Sequence, residues 1–238
     1  MPYTINPIFE KTIEERLAGI IENNSNYFMI PPEHQVIYPV ELGEKEKIKI
    51  MQYPTIFGLN WEGVHKVFNE HGAYVSSQID ALNAIFLLLS NNKIFDGNGR
   101  NISEKRDNIL EGFIGGGWEY LSTKFTKNEN ELIVNHNYFI NEEGKLIPKY
   151  SKPIEDNVLS GDHILIDLNP KSFNDHGMPI IKSESENYQK RKNIFYFKPL
   201  ENGVARLYAY FVRDYLDCSG DPASSVGGFG ARAKFMGE

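Results

Sequence analysis

"VARLYAYFVRDYLDCSGDPASSVGGFGARAKF" spans Val204 to Phe235 and governs how the rest of the chain is read. Its opening alternates. Ala205, Leu207, Ala209 and Phe211 share one parity; Arg206, Tyr208, Tyr210 and Val212 share the other. Such alternation marks a strand with one face in a core. The outer parity is unusual, because tyrosines stand where charged residues would be ordinary. After Phe211 the alternation slips and resumes: Leu216 and Cys218 read inward, Tyr215, Asp217 and Ser219 outward. "SGDPASSVGG" is a turn-rich loop. "FGARAKF" closes as a strand, and Gly230 lets it approach a neighbour closely.

The outward and loop positions are Tyr208, Tyr210, Val212, Asp214, Tyr215, Asp217, Ser219, Gly220, Asp221 and Ser225. Tyrosine with Ser, Gly and Asp is the composition of a binding surface: broad amphipathic contact plus adaptable polar groups. These residues form the predicted ligand-binding patch, and the expected ligand is a protein or glycan on another surface. Surface substitutions usually shift stability by only about 0.5 kcal/mol. Tyr208→Ala and Tyr215→Ala are therefore expected to spare thermal stability and weaken binding.

Upstream, Asn6-Pro7 reads as a helix start, followed by Phe9, Ile13, Leu17, Ile20 and Ile21 at helical spacing, with a stop near Asn23-Asn24. The proline-bearing stretch from 25 to 60 predicts extended segments or edge strands. "VSSQIDALNAIFLLLS" predicts a deeply buried helix, with Ser77 and Asp80 at capping-box spacing. A third helix is expected from Ser103 through Phe113, with "WEYLSTKF" as its last turn or a loop. From about residue 130 the period becomes two, and "ELIVNHNYFI", "EEGKLIPKY", "DHILIDL", "KNIFYFKPL", "VARLYAYF" and "GARAKF" read as strands, with Gly144 in a hairpin turn. Helices in the first half and strands in the second predict an α+β fold. The expected organisation is an N-terminal segment, 1–75, packed on a main domain, 76–238.

The net charge is −7, and Lys190-Arg191-Lys192 is the largest basic cluster, which argues against nucleic acid as a partner. The single cysteine, Cys218, excludes an internal disulfide and a cysteine-based metal centre. The first residues lack a basic stretch followed by an apolar run, and "ALNAIFLLLS" is about half a membrane span. No membrane insertion is expected. Synthesis is expected in a cytoplasm, which leaves incorporation into a virus particle or display at a surface open.

The chemistry-bearing residue types do not converge. Cys218 sits beside Asp217 and near Asp221, acids that raise a thiol pKa, and reads as a small buried hydrophobe. His34, His65, His71, His136, His163 and His176 show no metal-protease spacing, and "NDHG" at 174–177 reads as a turn. Asp217, Asp221 and Asn98 lack calcium-loop spacing. No metal, cofactor or enzymatic activity is expected. "FDGNGR", Phe95 to Arg100, resembles the central motif of the Fic nucleotide transferases, but Asn92 stands where that family has its histidine base and Ser103 where it has a second arginine. Turn formation explains the stretch without that chemistry.

Val204-Ala205-Arg206, the small inward residues Ala209, Leu216 and Cys218, and the closing Gly230-Ala231-Arg232 resemble the variable region of proteins diversified by retroelements. That resemblance implies a C-type lectin fold carrying a sequence-diversified surface for ligand recognition, with the variable region at about 204–235. Formylglycine-generating enzymes share the fold, but their copper site needs a cysteine pair and this chain has Cys218 alone. "GDHILIDLNP" is similar to one strand of the SMI1/KNR4 immunity proteins, which supplies an alternative reading as an intracellular immunity protein.

Overall fold

Asn60 and Ser77 each cap a helix. The Asn60 side chain accepts from Gly63 N (2.8 Å) and opens α1, Trp61–Glu70. Ser77 and Asp80 complete the predicted capping box: Ser77 accepts from Asp80 N, and the Asp80 carboxylate takes Ser77 N (2.7 Å) and Oγ (2.6 Å). Helix α2, Gln78–Leu89, follows, buried on every side from Gln78 to Leu88. A short 3-10 turn, Ser103–Lys105, leads into α3, Arg106–Phe113. The computed structural model describes residues 18–20, 22–115, 118–225 and 228–236. Most of the helix predicted over 6–24 lies outside those residues; 18–20 are helical.

Strands β1 (Tyr27–Ile30), β2 (Ile48–Met51), β3 (Tyr74–Val75) and β12 (Ala233–Met236) form a small antiparallel sheet in the order β1-β2-β12-β3. Strands β4 (Trp118–Asn128), β5 (Glu131–Ile140), β6 (Leu146–Pro153), β7 (Asp162–Asp167), β8 (Asn193–Phe197), β9 (Val204–Tyr210) and β10 (Arg213–Gly220) form a long sheet. Its order is β6-β5-β4-β9-β10-β8-β7, with β11 (Gly230–Ala231) alongside β4. Pairing is antiparallel except for β8 with β10 and β11 with β4. The fold is thus mixed helix and sheet with antiparallel sheets, as expected.

Three expectations need correction. Helices and strands are not segregated by half: β1 and β2, from the first fifty-one residues, pair in one sheet with β12. "WEYLSTKF" is neither a helical turn nor a loop but the start of β4, at the centre of the long sheet. Helix α1 lies in a stretch assigned no helix, although Asn60 and the Trp61, Val64, Phe68 spacing announce it. The 95–100 stretch is the predicted turn: Asp96 Oδ1 accepts from Asn98 N and Arg100 N at 2.9 Å each.

One core joins the two sheets. Phe28, Ile30, Ile48 and Ile50 of the small sheet, most of α2, and Leu121, Ile194, Leu207, Leu216 and Cys218 of the long sheet belong to it. Helix α1 packs Val64 and Phe68 with Tyr27, Met51, Val75 and Ala233 in a second cluster. Among the described residues no helix is long and apolar enough to cross a membrane.

The closing segment crosses from one sheet to the other. Gly230 and Ala231 pair with Glu119 and Tyr120, and two residues later Ala233 pairs with Val75. A Cβ on Gly230 would stand 2.8 Å from the Phe57 ring, so a larger residue there would have to displace that exposed ring. Arg232, at the crossing, is fully buried. Its Nε donates to Glu119 Oε2 (2.6 Å), Nη2 to Gly112 O (2.5 Å), and Nη1 to the carbonyls of Met51 and Gln52. The guanidinium lies over the Phe113 ring, 3.7 Å from its centroid. One side chain therefore joins β4, the end of β2 and α3.

Candidate functional site

Strands β9 and β10 form a hairpin in which Tyr210 faces Arg213, Tyr208 faces Tyr215 and Arg206 faces Asp217. Ala205, Leu207, Leu216 and Cys218 of the inward parity are buried, but Phe211, read as packed with them, is 77% exposed, because the chain turns there instead of continuing the strand. Burial, with Asp217 adding to it, pushes the Cys218 thiol pKa well up, as an inert core cysteine requires.

The outward parity carries a row of rings. Trp118 of β4 lies beside Tyr208 (5.1 Å), Tyr208 stacks on Tyr215 (4.9 Å, 12° between planes), and Tyr215 stacks on Phe195 of β8 (5.5 Å). Register explains the row, because these residues face one another across adjacent strands. Tyr208 and Tyr215 on this parity each cover a neighbouring ring.

That packing removes several predicted contact residues from the surface. Tyr215 is only 7% exposed, since rings flank it on both sides. Asp217 is 3% exposed: Oδ2 takes Arg206 Nη2 (2.6 Å), and Oδ1 takes Ser219 N (2.8 Å) and Oγ (2.7 Å). Asp214 faces Ala209 on the inward parity and is buried, with Oδ2 accepting from Tyr188 Oη (2.6 Å). Burial raises its carboxyl pKa against that hydrogen bond. Gly220 is buried against Arg206, where a Cβ would meet Nε at 2.3 Å. Asp214, Tyr215, Asp217 and Gly220 are thus structural, contrary to expectation. Tyr215→Ala is now expected to cost about 3 kcal/mol, as for a buried aromatic, measurable as a lowered urea midpoint.

The other predicted positions reach water. Tyr208 and Ser219 are half-buried; Tyr210, Val212, Asp221 and Ser225 are exposed. Asp221 Oδ1 accepts from Ala223 N (2.9 Å), Pro222 O accepts from Trp61 N (3.1 Å) and Ser224 O from Tyr120 Oη (2.6 Å), so this loop is tied down. Tyr208, Tyr210, Trp118, Arg206, Ser224 and Phe229 line a recess of about 290 Å³. Tyr210 also stands at the base of the hairpin tip, with its ring 4.3 Å from Phe211.

The tip itself was not among the predicted contacts as a unit. Phe211 and Val212 form the two-residue loop between Tyr210 and Arg213, at φ 46° and 61°. Positive φ at both central residues is the mark of a type I′ turn, which favours Asn-Gly. Left-handed backbone costs an L-residue roughly 1–2 kcal/mol, and a β-branched valine there is an outlier. Both side chains are open to water, at 77% and 91% exposure. No family model, curated protein or solved structure matches this chain.

Two histidines are fully buried elsewhere. His65, beside Trp61 and Tyr138, has no hydrogen-bond partner for either ring nitrogen among the described residues. His136 Nδ1 lies 2.8 Å from Thr123 Oγ1. Burial pushes both pKa values down to about 3.

Proposed function

We propose that this chain is a ligand-binding protein on a C-type lectin-like scaffold, resembling retroelement-diversified variable proteins, and that it grips a partner protein with the β9–β10 hairpin. The observation that carries this reading is the Phe211–Val212 pair: strained backbone, apolar side chains, and almost complete exposure. Strain and wetted apolar area both lower stability, so their joint presence supports a role outside the fold. Phe211, Val212 and Tyr210 would enter a pocket on the partner, and the adjoining aromatic recess would receive a side chain in return. A strand-paired hairpin with residues 222–224 hydrogen-bonded beside it lowers the ordering cost of binding. Under this reading Tyr210, Phe211, Val212, Asp221 and Ser225 are free to differ between sister chains, while Asp214, Tyr215 and Asp217 are held by packing.

The paired variant Phe211→Asn/Val212→Gly separates binding from folding. It supplies the residues a type I′ turn prefers, so stability should rise by about 1–3 kcal/mol. The parent, screened against arrays of folded protein domains and of glycans, should give protein hits that the variant loses by more than tenfold. Hits that survive the replacement, or hits confined to glycans, would remove the tip from the binding surface.

A further inference from the structure

The turn at Asn174 to Gly177 lies far from the hairpin in sequence and is built to hold one imidazole in place. Asn174 Oδ1 accepts from His176 N (3.1 Å) and Met178 N (2.9 Å), and Gln78 of α2 donates to Gly177 O (2.6 Å). The His176 side chain is 2% exposed and lies 5.5 Å from the Tyr150 ring, nearly parallel to it. Its Nδ1 is 2.8 Å from Tyr150 Oη. Its Nε2 is buried without a hydrogen bond among the described residues, yet Asp175 Oδ1 lies 2.9 Å away and Glu155 Oε1 3.8 Å away. Asp175 Oδ1 is thus within ligand-sharing distance of Nε2 without being aligned for a hydrogen bond to it.

We infer that His176 Nε2, Asp175 and Glu155 form a binding site for a divalent transition-metal ion of the zinc class. The three donor atoms lie within 4.8 Å of one another. Ligands about 2.1 Å from a tetrahedral ion stand about 3.4 Å apart, so a small rotation of the carboxylates completes the set. One imidazole nitrogen with two carboxylate oxygens suits zinc better than calcium or magnesium, which take oxygen alone. A fourth position remains for water.

The surroundings agree. Tyr150 Oη lies on Nδ1, where by accepting from Nδ1–H it would leave Nε2 as the ligating nitrogen, and Asn174 Nδ2 reaches Glu155 Oε2 (3.3 Å), so both kinds of ligand have an outer partner. The Asp175 and Glu155 side chains, 44% and 38% exposed, give the ion a path from solvent. Lys152, the nearby cation, is paired with Glu41 (3.0 Å).

Chelator-treated, untagged protein titrated calorimetrically with zinc chloride should bind one ion per chain. Cobalt(II) should give the visible absorption of a tetrahedral site. Asp175→Asn and Glu155→Gln, both at exposed positions, should each weaken zinc binding about tenfold or more, and Tyr150→Phe about 10–100-fold as an outer partner. His34→Gln and His163→Gln should leave it unchanged. The inference is overturned if zinc does not bind at millimolar concentration. It is overturned equally if folded Asp175→Asn and Glu155→Gln proteins keep the parent affinity, or if His34→Gln or His163→Gln abolishes binding.

Discussion

Arg232→Met is expected to destabilise the chain by about 3–5 kcal/mol, enough to unfold much of it at 37 °C, because it strands a buried carboxylate. Glu119 is 1% exposed, and burial already raises its pKa against the pull of Arg232. Without the guanidinium, Glu119 must take up a proton or draw in water. The carbonyls of Gly112, Met51 and Gln52 would lose their donor as well. Arg232→Met/Glu119→Leu removes both charges and should recover a large part of the loss, since a buried ion pair replaced by packed apolar residues is often neutral. Urea unfolding of the three proteins measures this. An Arg232→Met protein within 1 kcal/mol of the parent would mean that the crossing is held by strand pairing alone.

Acid should unfold the protein steeply. His65 and His136 stay neutral in the folded state down to about pH 3, because burial disfavours their charged forms. In the unfolded chain they protonate near pH 6.5. Between those limits the unfolded state holds two more protons, so stability is full above about pH 6.5 and falls as pH drops. The slope approaches about 2.7 kcal/mol per pH unit, twice the value for one site. Down to about pH 3 the loss sums to about 9 kcal/mol, enough to exhaust a stability in the lower part of the usual range of about 5–15 kcal/mol. The raised pKa values of Glu119 and Asp214 work the other way, giving stability as those groups protonate in the folded state. His65→Leu should halve the histidine slope. It should also leave stability at pH 8 unchanged or higher, since neither ring nitrogen has a partner among the described residues. Circular dichroism with urea at pH 8, 6, 5 and 4 reads the effect. Equal stability at pH 8 and pH 5 would contradict the burial of these two rings.

What could be read from the sequence followed how local each signal is. The capping box at Ser77 and Asp80 is complete within four residues, and α2 stands where it was predicted. Strands β8 and β9 announce themselves because one face is wetter than the other. Strand β4 does not: residues 119–123 are all buried, so no alternation marks it. The small sheet was illegible because its strands come from residues 27–51, 74–75 and 233–236. At the candidate site the parity of Tyr208 and Tyr215 was right, but parity is not exposure. The rings that cover Tyr215 come from β8 and β9, and only register brings Phe195 alongside. The slip after Phe211 was visible as a break in pattern. Phe-Val lacks the residues that normally spell a type I′ turn, so the tip went unread. The three zinc-class ligands lie at 155, 175 and 176, a spacing that matches no helical motif and is meaningful only once the turn folds beside β6.

The passage of the last strand between the sheets has a consequence for synthesis on the ribosome. β2 has β12 as a neighbour, and β4 has β11, so neither sheet is complete until residues 230–236 have left the exit tunnel. At translation rates of about 5–20 residues per second, the β1–β2 hairpin waits roughly ten seconds or more with its inner edge open. A nascent chain in that condition is a natural client for a chaperone, and one ended before Arg232 would lack β12 and the side chain that joins β4, β2 and α3.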